Sequence, residues 1–207
     1  MKVVAFVPIR LNSQRVEGKN LRLLGGEPLL CHILRTLLEV EAIDEVYVYC
    51  SDPAVRPYLP DGVRFLRRSP RLDRNETLGR EIYDAFTAEV VADVYLLAHA
   101  TSPFIRPATI AAALHKVTDE GYDSAFSAER GEPLNYALDA IPRTQEIEPV
   151  FVETSAFFIF RREIWCDLHQ RIGRHPYVAV VDRIEGIDID YPEDFALAEV
   201  IAKLPNR

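Results

Sequence analysis

The stretch VVAFVPIRLNSQRVEGKN, residues 3–20, joins a short apolar run to a polar and basic loop. Its first five residues are all apolar and end at Pro8, which predicts a strand buried on both of its faces. Strands of that kind belong to parallel sheets that are covered by helices. The stretch therefore indicates an α/β protein in which a ligand-binding loop follows the carboxyl end of the first strand.

The rest of the chain alternates strand-like and helix-like patterns, as this fold class requires. Further strands are predicted at residues 45–50, 63–66, 93–98, 124–128, 155–160 and 177–181. Helices are predicted at residues 28–40, 77–91, 107–119, 162–170 and 195–204. The alternation indicates a parallel or mostly parallel sheet with helices on both of its faces.

The composition bounds the size of the protein and the kind of partner it binds. A chain of 207 residues with 48% hydrophobic residues fits a single domain, residues 1–207. The formal net charge of -8 argues against nucleic acid as the main partner. No apolar run approaches the roughly 18 residues of a membrane span, so no membrane partner is expected. Three widely separated cysteines without a CxxC pattern are typical of reduced thiols in a cytoplasmic protein.

The loop after the first strand concentrates positive charge in an otherwise acidic chain. Arg10, Arg15 and Lys19 fall within ten residues, and Ser13 and Asn20 add hydroxyl and amide donors. A polyphosphate needs several cations and donors that converge on it. The sequence has neither a P-loop nor a GxGxxG pattern. A solvated surface loop is the alternative, but the position directly after a buried strand favours phosphate binding.

Near the other end of the chain, residues 186–194 read GIDIDYPED and carry four carboxylates. In an extended stretch, Asp188 and Asp190 lie on the same face, where two carboxylates repel each other unless a cation separates them. Mg²⁺ suits that position, because it takes one or two carboxylates together with substrate phosphates. The alternative is a helix N-terminus, which explains Glu193 and Asp194 better than it explains the first pair.

A third polar segment, HATSP at residues 99–103, follows another predicted buried strand. It presents His99, Thr101 and Ser102 at a point where contacts with ligands are common. The Ser-Pro pair at residues 102–103 also suits an ordinary helix start, which would be the simpler interpretation of this segment taken alone.

The basic run RRSPR at residues 67–71 follows the predicted third strand. Most of the arginines here, Arg67, Arg68, Arg71 and the nearby Arg74, fit a solvated surface, but one of them could reach a base or a phosphate. Residues 131–150 contain several prolines and few periodic apolar positions. That segment is predicted to be an excursion from the core, suited to a hairpin or an oligomer contact.

Taken together, these motifs resemble the acylneuraminate cytidylyltransferase family, which makes CMP-activated sialic acids and related nonulosonates. The resemblance is carried by VPIRLNSQRVEGKNLRLLGGEPLL (7–30), HATSPFIRP (99–107), ETSAFFIF (153–160) and IDIDYPEDFALAE (187–199). The four segments occur in the family's order across nearly the whole chain. The resemblance implies a three-layer α/β/α Rossmann-like fold, similar to nucleotide-diphosphosugar transferases, with a mostly parallel sheet and a small excursion.

The resemblance also implies a reaction and a set of roles. The anomeric hydroxyl of a 2-keto sugar acid would attack the α-phosphorus of CTP, and pyrophosphate would leave. Arg10, Lys19 and Asp190 would be the catalytic residues. Mg²⁺ would be held by Asp188 and Asp190. CTP would be bound by Arg10, Ser13, Lys19, Asn20 and either Arg67 or Arg68. The sugar acid would contact His99, Thr101, Ser102, Thr154 and Ser155.

This chain departs from the family pattern on the acceptor side. His99 stands where many relatives have Gln, and Thr154-Ser155 stands where many have Asn-Gly. Both departures would face the sugar acid, so the resemblance leaves the identity of the sugar open. The family is commonly dimeric through an excursion. Residues 131–150 fit that role, and a homodimer is therefore expected.

Two other functions stay open at this point. One is a nucleotidyltransferase of the same fold that acts on another sugar, cofactor or base. The other is a non-catalytic nucleotide-binding module. The joint presence of Arg10, Lys19, Asp188 and Asp190 favours an enzyme, because a binding module has less need of a metal-binding pair.

Overall fold

The computed structural model describes residues 1–131 and 149–204, and its strands and helices alternate along the chain. The strands are β1 (Val3–Pro8), β2 (Leu23–Leu24), β3 (Glu27–Pro28), β4 (Glu45–Cys50), β5 (Val63–Arg67), β6 (Val94–Ala98), β7 (Ser124–Gly131), β8 (Val150–Arg161) and β9 (Pro176–Val181). The α-helices are α1 (Leu29–Leu38), α2 (Gly79–Glu89), α3 (Pro107–Asp119), α4 (Arg162–Leu168) and α5 (Pro192–Ile201). Short 3₁₀ helices lie at Lys19–Leu21, Pro53–Tyr58 and Pro70–Asp73.

Seven of these strands form one sheet in the order β5-β4-β1-β6-β8-β7-β9. The pairs β5-β4, β4-β1, β1-β6 and β7-β9 are parallel. Strand β8 alone among these seven described strands runs antiparallel to its neighbours, β6 and β7. The expectation of a mostly parallel sheet is therefore confirmed. Because β8 runs the other way, its first residues meet the carboxyl ends of β6 and β7 at one edge.

Helices cover both faces of the sheet, as the continuous apolar runs require. On one face, α1 and α3 pack against alternate β1 side chains, Val3, Ala5 and Val7. On the other face, the β1 residue Phe6 stacks on Phe86 of α2, with ring centroids 4.1 Å apart. These two apolar layers give the three-layer α/β/α arrangement that the sequence predicted.

A third apolar cluster lies beyond the edge of the sheet and positions the functional loops. It joins Val16 of the basic loop to Ile189 of the acidic segment and to Phe195 of α5. Each of these three side chains is at most 4% exposed. This cluster brings together two segments that are far apart in the chain, because both bury an apolar residue in it.

The predicted elements are present, and the differences lie at their ends. The largest concerns β8, which begins at Val150 rather than at residue 155 because it continues to pair with β7 as far as Gly131. The register between these two strands shifts between Phe126 and Ala128. Most of the predicted excursion, residues 132–148, lies outside the described residues. Within the described ranges, no helix is long and apolar enough to cross a membrane.

Candidate functional site

A cavity of about 570 Å³ opens where β1 and β6 end, at the carboxyl edge of the parallel strands. Its lining includes six residues predicted to bind ligand: Arg10, Ser13, Lys19, Asn20, His99 and Thr101. Such an edge is where ligands bind in open α/β sheets. The fold therefore brings the basic loop and the HATSP turn to one cavity.

The basic loop keeps its shape through internal contacts. Gly18 adopts a left-handed conformation with φ of 61°, which starts the short 3₁₀ helix at Lys19. Asn20 is buried, and its side-chain amide donates to the carbonyl of Arg10 at 2.8 Å. This bond closes the loop on itself, so part of the hydrogen-bonding capacity of Asn20 holds the loop in place. The cations of the loop are thus presented by a fixed backbone.

Two of those cations face the acidic segment. The Lys19 ammonium donates to the carbonyl of Ile189 at 2.6 Å and lies 3.4 Å from Asp190 Oδ1. Arg15 contacts the other carboxylate oxygen of Asp190 at 3.0 Å. The Lys19 side chain is only 11% exposed, whereas that of Asp190 is 37% exposed. Lys19 is therefore a partly desolvated cation, held at the boundary between the basic loop and the carboxylates.

Asp188 lies deeper than Asp190, and one of its oxygens lacks a partner. The backbone amide of Ile189 donates to the Thr101 carbonyl at 2.9 Å, which fixes the acidic segment beside the HATSP turn. Asp188 Oδ1 is buried and has no hydrogen-bond partner among the described residues. Burial raises the pKa of Asp188, a hydrogen bond from Thr101 opposes that rise, and the charge of Asp190 adds to it. A buried carboxylate oxygen without a donor is suited to a bound cation.

The helix-cap interpretation of the acidic segment also holds, for a different residue. Asp194 accepts hydrogen bonds from the backbone amides of Asp190 (3.0 Å) and Tyr191 (2.7 Å) at the start of α5. Asp188 and Asp190 are not used in this way. Within the described residues, no group of three or more His, Cys, Asp or Glu side chains could hold a metal. Two carboxylates fit a hard cation that takes its remaining ligands from phosphate and water.

The structure distinguishes the two neighbouring arginines of the basic run. Arg68 is 3% exposed, pairs with Asp73, and lines a second cavity of about 300 Å³. Its Nε atom is buried without a partner among the described residues. Arg67 is exposed and is not part of the lining of this cavity or the first one. Of these two arginines, only Arg68 lines either cavity.

The two cavities share one wall, built around Arg10. The guanidinium of Arg10 donates from Nη1 to the Asp73 carbonyl (3.1 Å) and to Asn75 Oδ1 (2.9 Å). His99 lines both cavities, as does Asn75, which the sequence reasoning missed. Asn75 was missed because the motifs were identified by their charged residues, and a single asparagine outside a motif does not indicate a ligand contact.

His99 links the two cavities to β8. Its Nδ1 contacts the carbonyl oxygen of Ser155, so Nδ1 carries the proton and Nε2 is an acceptor. Burial lowers the pKa of His99 and so favours the neutral imidazole. Ser155 has a left-handed backbone with φ of 59°, which is uncommon for a residue other than glycine. The His99 side chain is thus oriented by a strained backbone position on the facing strand.

Two other predicted acceptor residues, Thr154 and Ser102, are not part of the lining of either cavity. The Thr154 hydroxyl donates to Ser127 Oγ at 2.8 Å, at the irregularity between β7 and β8. Ser102 is fully buried, and its hydroxyl has no partner among the described residues. Their predicted contact with a substrate stays a prediction. Two further side chains near His99, Tyr83 and Arg171, were not predicted, because neither belongs to a recognisable motif.

Comparison with known proteins gives a consistent result over nearly the whole chain. Residues 4–178 match the family described as "Cytidylyltransferase". A CMP-N,N'-diacetyllegionaminic acid synthase from Legionella pneumophila is 25% identical over 99% of this chain and 97% of its own length. An N-acylneuraminate cytidylyltransferase A from Danio rerio is 24% identical over 95% of this chain. The match covers 50% of the length of that protein, so the present chain spans about half of it.

A solved structure confirms the fold class. It is a CMP:2-keto-3-deoxy-manno-octonic acid synthetase complexed with CTP, and it superposes with a TM-score of 0.74 at 20% sequence identity. The match covers 97% of this chain and 98% of the other. The α/β/α Rossmann-like arrangement inferred from the sequence is therefore the one that the structure has.

Proposed function

Because the chain belongs to the cytidylyltransferase family, we propose that it transfers the CMP group of CTP to a 2-keto sugar acid of the sialic acid type. The anomeric hydroxyl of the sugar acid attacks the α-phosphorus, and pyrophosphate leaves. The observation that carries the proposal is the convergence of the basic loop and the HATSP turn on one cavity of about 570 Å³, with two carboxylates in contact with residues of its lining: Asp190 with Lys19, and Asp188 with Thr101. Relatives that are named for N-acylneuraminate and for N,N'-diacetyllegionaminic acid support the acceptor class.

The basic loop is the proposed triphosphate site. Arg10, Arg15 and Lys19 all line the first cavity, in a protein whose net charge is -8. Their charges compensate for the electrostatic cost of bringing a tetra-anionic nucleotide to an acidic surface. Lys19 is held by Ile189 and Asp190 before any ligand arrives. Phosphoryl chemistry depends mainly on such positioning and charge neutralisation, so Lys19 and Arg10 are the main candidates for catalysis.

We further propose that Arg68 reads the base from the second cavity. Its buried Nε lacks a partner, and a guanidinium can donate to the carbonyl oxygen and ring nitrogen acceptors of cytosine. Asp73 accepts from its Nη2 and keeps the group in place. Arg67 is exposed at the end of β5 and is the weaker candidate.

Asp188 and Asp190 are the proposed ligands of a magnesium ion. The unpartnered oxygen of Asp188 and the part-exposed carboxylate of Asp190 supply hard oxygen donors next to the phosphate-binding loop. A bound Mg²⁺ would withdraw charge from phosphate oxygens during transfer. Lys19 and Arg15 contact Asp190, so the cations of the basic loop lie directly beside the carboxylates that would hold the metal.

His99, Thr101 and the start of β8 are the proposed acceptor side of the site. His99 Nε2 accepts hydrogen bonds, as fixed by the contact of Nδ1 with Ser155. It can therefore accept a hydrogen bond from a sugar hydroxyl. A glutamine at this position could both donate and accept hydrogen bonds. This difference makes His99 a candidate determinant of which sugar acid is used.

We also propose a homodimer built on the segment that includes residues 131–150, in a cytoplasmic protein. The described root of that segment carries three exposed apolar side chains, Val150, Phe151 and Val152, which are 44%, 51% and 55% exposed. Consecutive exposed apolar residues on paired strands suit burial against a second copy. The three cysteines are unpaired, which fits a reducing compartment.

The test is a pyrophosphate-release assay with CTP, Mg²⁺ and a panel of 2-keto sugar acids. UTP, GTP and ATP serve as matched nucleotides, and an Asp190→Ala variant that keeps its thermal unfolding transition serves as the inactive control. We expect release with CTP and at least one acid, and loss of release with a chelator or with Asp190→Ala. Release that depends selectively on GTP, or undiminished turnover in Asp190→Ala, would contradict the proposal.

A further inference from the structure

A cation outside every motif lies on the face of the sheet beside His99. Arg171 belongs to the loop between α4 and β9, and its guanidinium lies 3.8 Å from the ring centroid of Phe158 on β8. It also lies 5.8 Å from the ring centroid of Tyr83 on α2 and forms a hydrogen bond with that side chain. Stacking on an aromatic ring fixes the plane of a guanidinium and leaves its in-plane N–H groups available to a ligand.

The position of Arg171 is continuous with the acceptor side of the proposed site. The Phe158 ring that it covers lies 6.2 Å from the His99 ring, centroid to centroid. Tyr83 lines the cavity of about 300 Å³ together with His99, and it also lines a neighbouring cavity of about 490 Å³ together with Arg171. The charge of Arg171 is close enough to add to the effect of burial in lowering the pKa of His99.

Within the described part of the protein, no carboxylate forms an ion pair with Arg171. No carboxylate oxygen of a described residue lies within 4 Å of its guanidinium, whereas Arg106 and Arg68 each pair with a buried or half-buried carboxylate. The nearby carboxylates, Glu153 and Asp188, give the acceptor side a negative field that acts on Tyr83 and His99. An anionic acceptor would be repelled there unless a cation faced it.

We propose that Arg171 binds the carboxylate of the acceptor, so that the stacked guanidinium selects an acid over a neutral sugar. The inference rests on the proposed cytidylyl transfer and adds a residue to it. The planar fork of an arginine matches the two oxygens of a carboxylate, and Phe158 holds that fork in one orientation. The four cations of the nucleotide side, Arg10, Arg15, Lys19 and Arg68, are thereby matched by one cation on the acceptor side.

The test compares a 2-keto sugar acid that the wild type uses with the carboxamide of the same sugar. Arg171→Gln removes the charge, and Arg171→Lys keeps the charge without the fork. Arg174→Gln, in the same loop and exposed, is the matched control. We expect Arg171→Gln to raise the KM for the acid roughly 10- to 100-fold, the loss expected for a hydrogen bond to a charged group, with little change in the KM for CTP. The wild type should prefer the acid to the amide, and Arg171→Gln should largely lose that preference.

The possible outcomes distinguish a failure of the role of Arg171 from a failure of the proposed cytidylyl transfer. If wild-type protein releases no pyrophosphate with any acid, the proposed function fails and the role of Arg171 fails with it. If the wild type is active but Arg171→Gln discriminates acid from amide as well as the wild type does, only the role of Arg171 is overturned. An equal rise in KM for acid and amide would also overturn it, because it would mean a structural effect. Should Arg171→Gln unfold, Arg171→Lys decides: partial loss of the acid preference supports the inference, and full retention contradicts it.

Discussion

Replacing Asp188 by Asn should stabilise the protein while stopping the proposed reaction. The wild-type carboxylate is held at a cost, since its Oδ1 is buried without a partner and burial raises its pKa. Asparagine has nearly the same shape and carries no charge, so it removes the cost of burying a charge. Its oxygen can still accept the hydrogen bond from Thr101, while its neutral amide group takes the buried position without a partner. Sites that trade stability for activity behave in this way.

The magnitude follows from the contacts of the carboxylate. An unsatisfied buried polar group costs about 1–3 kcal/mol and a charged one costs more, so Asp188→Asn lowers the cost without removing it. The charge of Lys19 and the hydrogen bond from Thr101 offset part of that cost. We therefore expect Asp188→Asn to raise the free energy of unfolding by about 1 kcal/mol, which corresponds to a rise in Tm of about 2–4 °C for a chain of this length.

The effect depends on pH with a defined sign. A carboxyl group whose folded pKa lies above its ordinary value of 3.8 contributes stability fully below that value and loses the contribution as the pH rises through the folded pKa. The advantage of Asp188→Asn should therefore be larger at pH 7 than at pH 4. Turnover should fall at least roughly 100-fold, because charge stabilisation by a metal is worth several kcal/mol.

The assay combines thermal unfolding between pH 4 and pH 7, with and without Mg²⁺ and CTP, with pyrophosphate release. Asp190→Asn is the matched variant, because its carboxylate is paired with Lys19 and Arg15 and its loss should not stabilise the protein. Mg²⁺ and CTP together should raise the Tm of the wild type more than that of Asp188→Asn. The reasoning would be refuted by a lower Tm for Asp188→Asn without ligands, or by turnover close to that of the wild type.

Two further predictions concern the basic loop and β8. Lys19→Met should weaken CTP binding roughly 10- to 100-fold in calorimetry, as expected for the loss of a charge-assisted contact, whereas Lys203→Met, at an exposed position, should leave the CTP affinity unchanged. Equal CTP affinities for Lys19→Met and the wild type would rule out the assignment of the basic loop to the triphosphate. In chemical unfolding, Ser155→Gly should be about 1 kcal/mol more stable than Ser155→Ala, because both variants lose the hydroxyl and only glycine tolerates a φ of 59° without strain. Equal stabilities of the two variants would contradict the left-handed backbone at this position.

Much of the fold could be predicted because its signals are local. The continuous apolar run of β1 and the helical spacing in α1 each encode burial within a few residues, and both elements form where they were predicted. The antiparallel direction of β8 was not predicted. The direction of β8 depends on the end at which the chain re-enters the sheet, and Val150 re-enters opposite Gly131 at the end of β7. The periodicity of apolar residues carries no such information.

The candidate site was predicted in part, for the same reason. The basic loop and the carboxylate pair are dense motifs, and they could be located without knowing that they touch. Their contact, Lys19 to Asp190 across 171 positions of sequence, depends on a shared apolar cluster that includes Val16 and Ile189.

The sequence by itself determined the order of the elements, the α/β/α class and the family, because apolar periodicity and charged motifs are written into consecutive residues. Only the tertiary structure decided which side chains meet. It buries Arg68 and exposes the adjacent Arg67, and it lays Arg171 over Phe158 beside His99. The physical reason is that the direction of a side chain at the end of a strand or in a loop is set by packing against distant elements, and the sheet positions those elements only when the whole chain is folded.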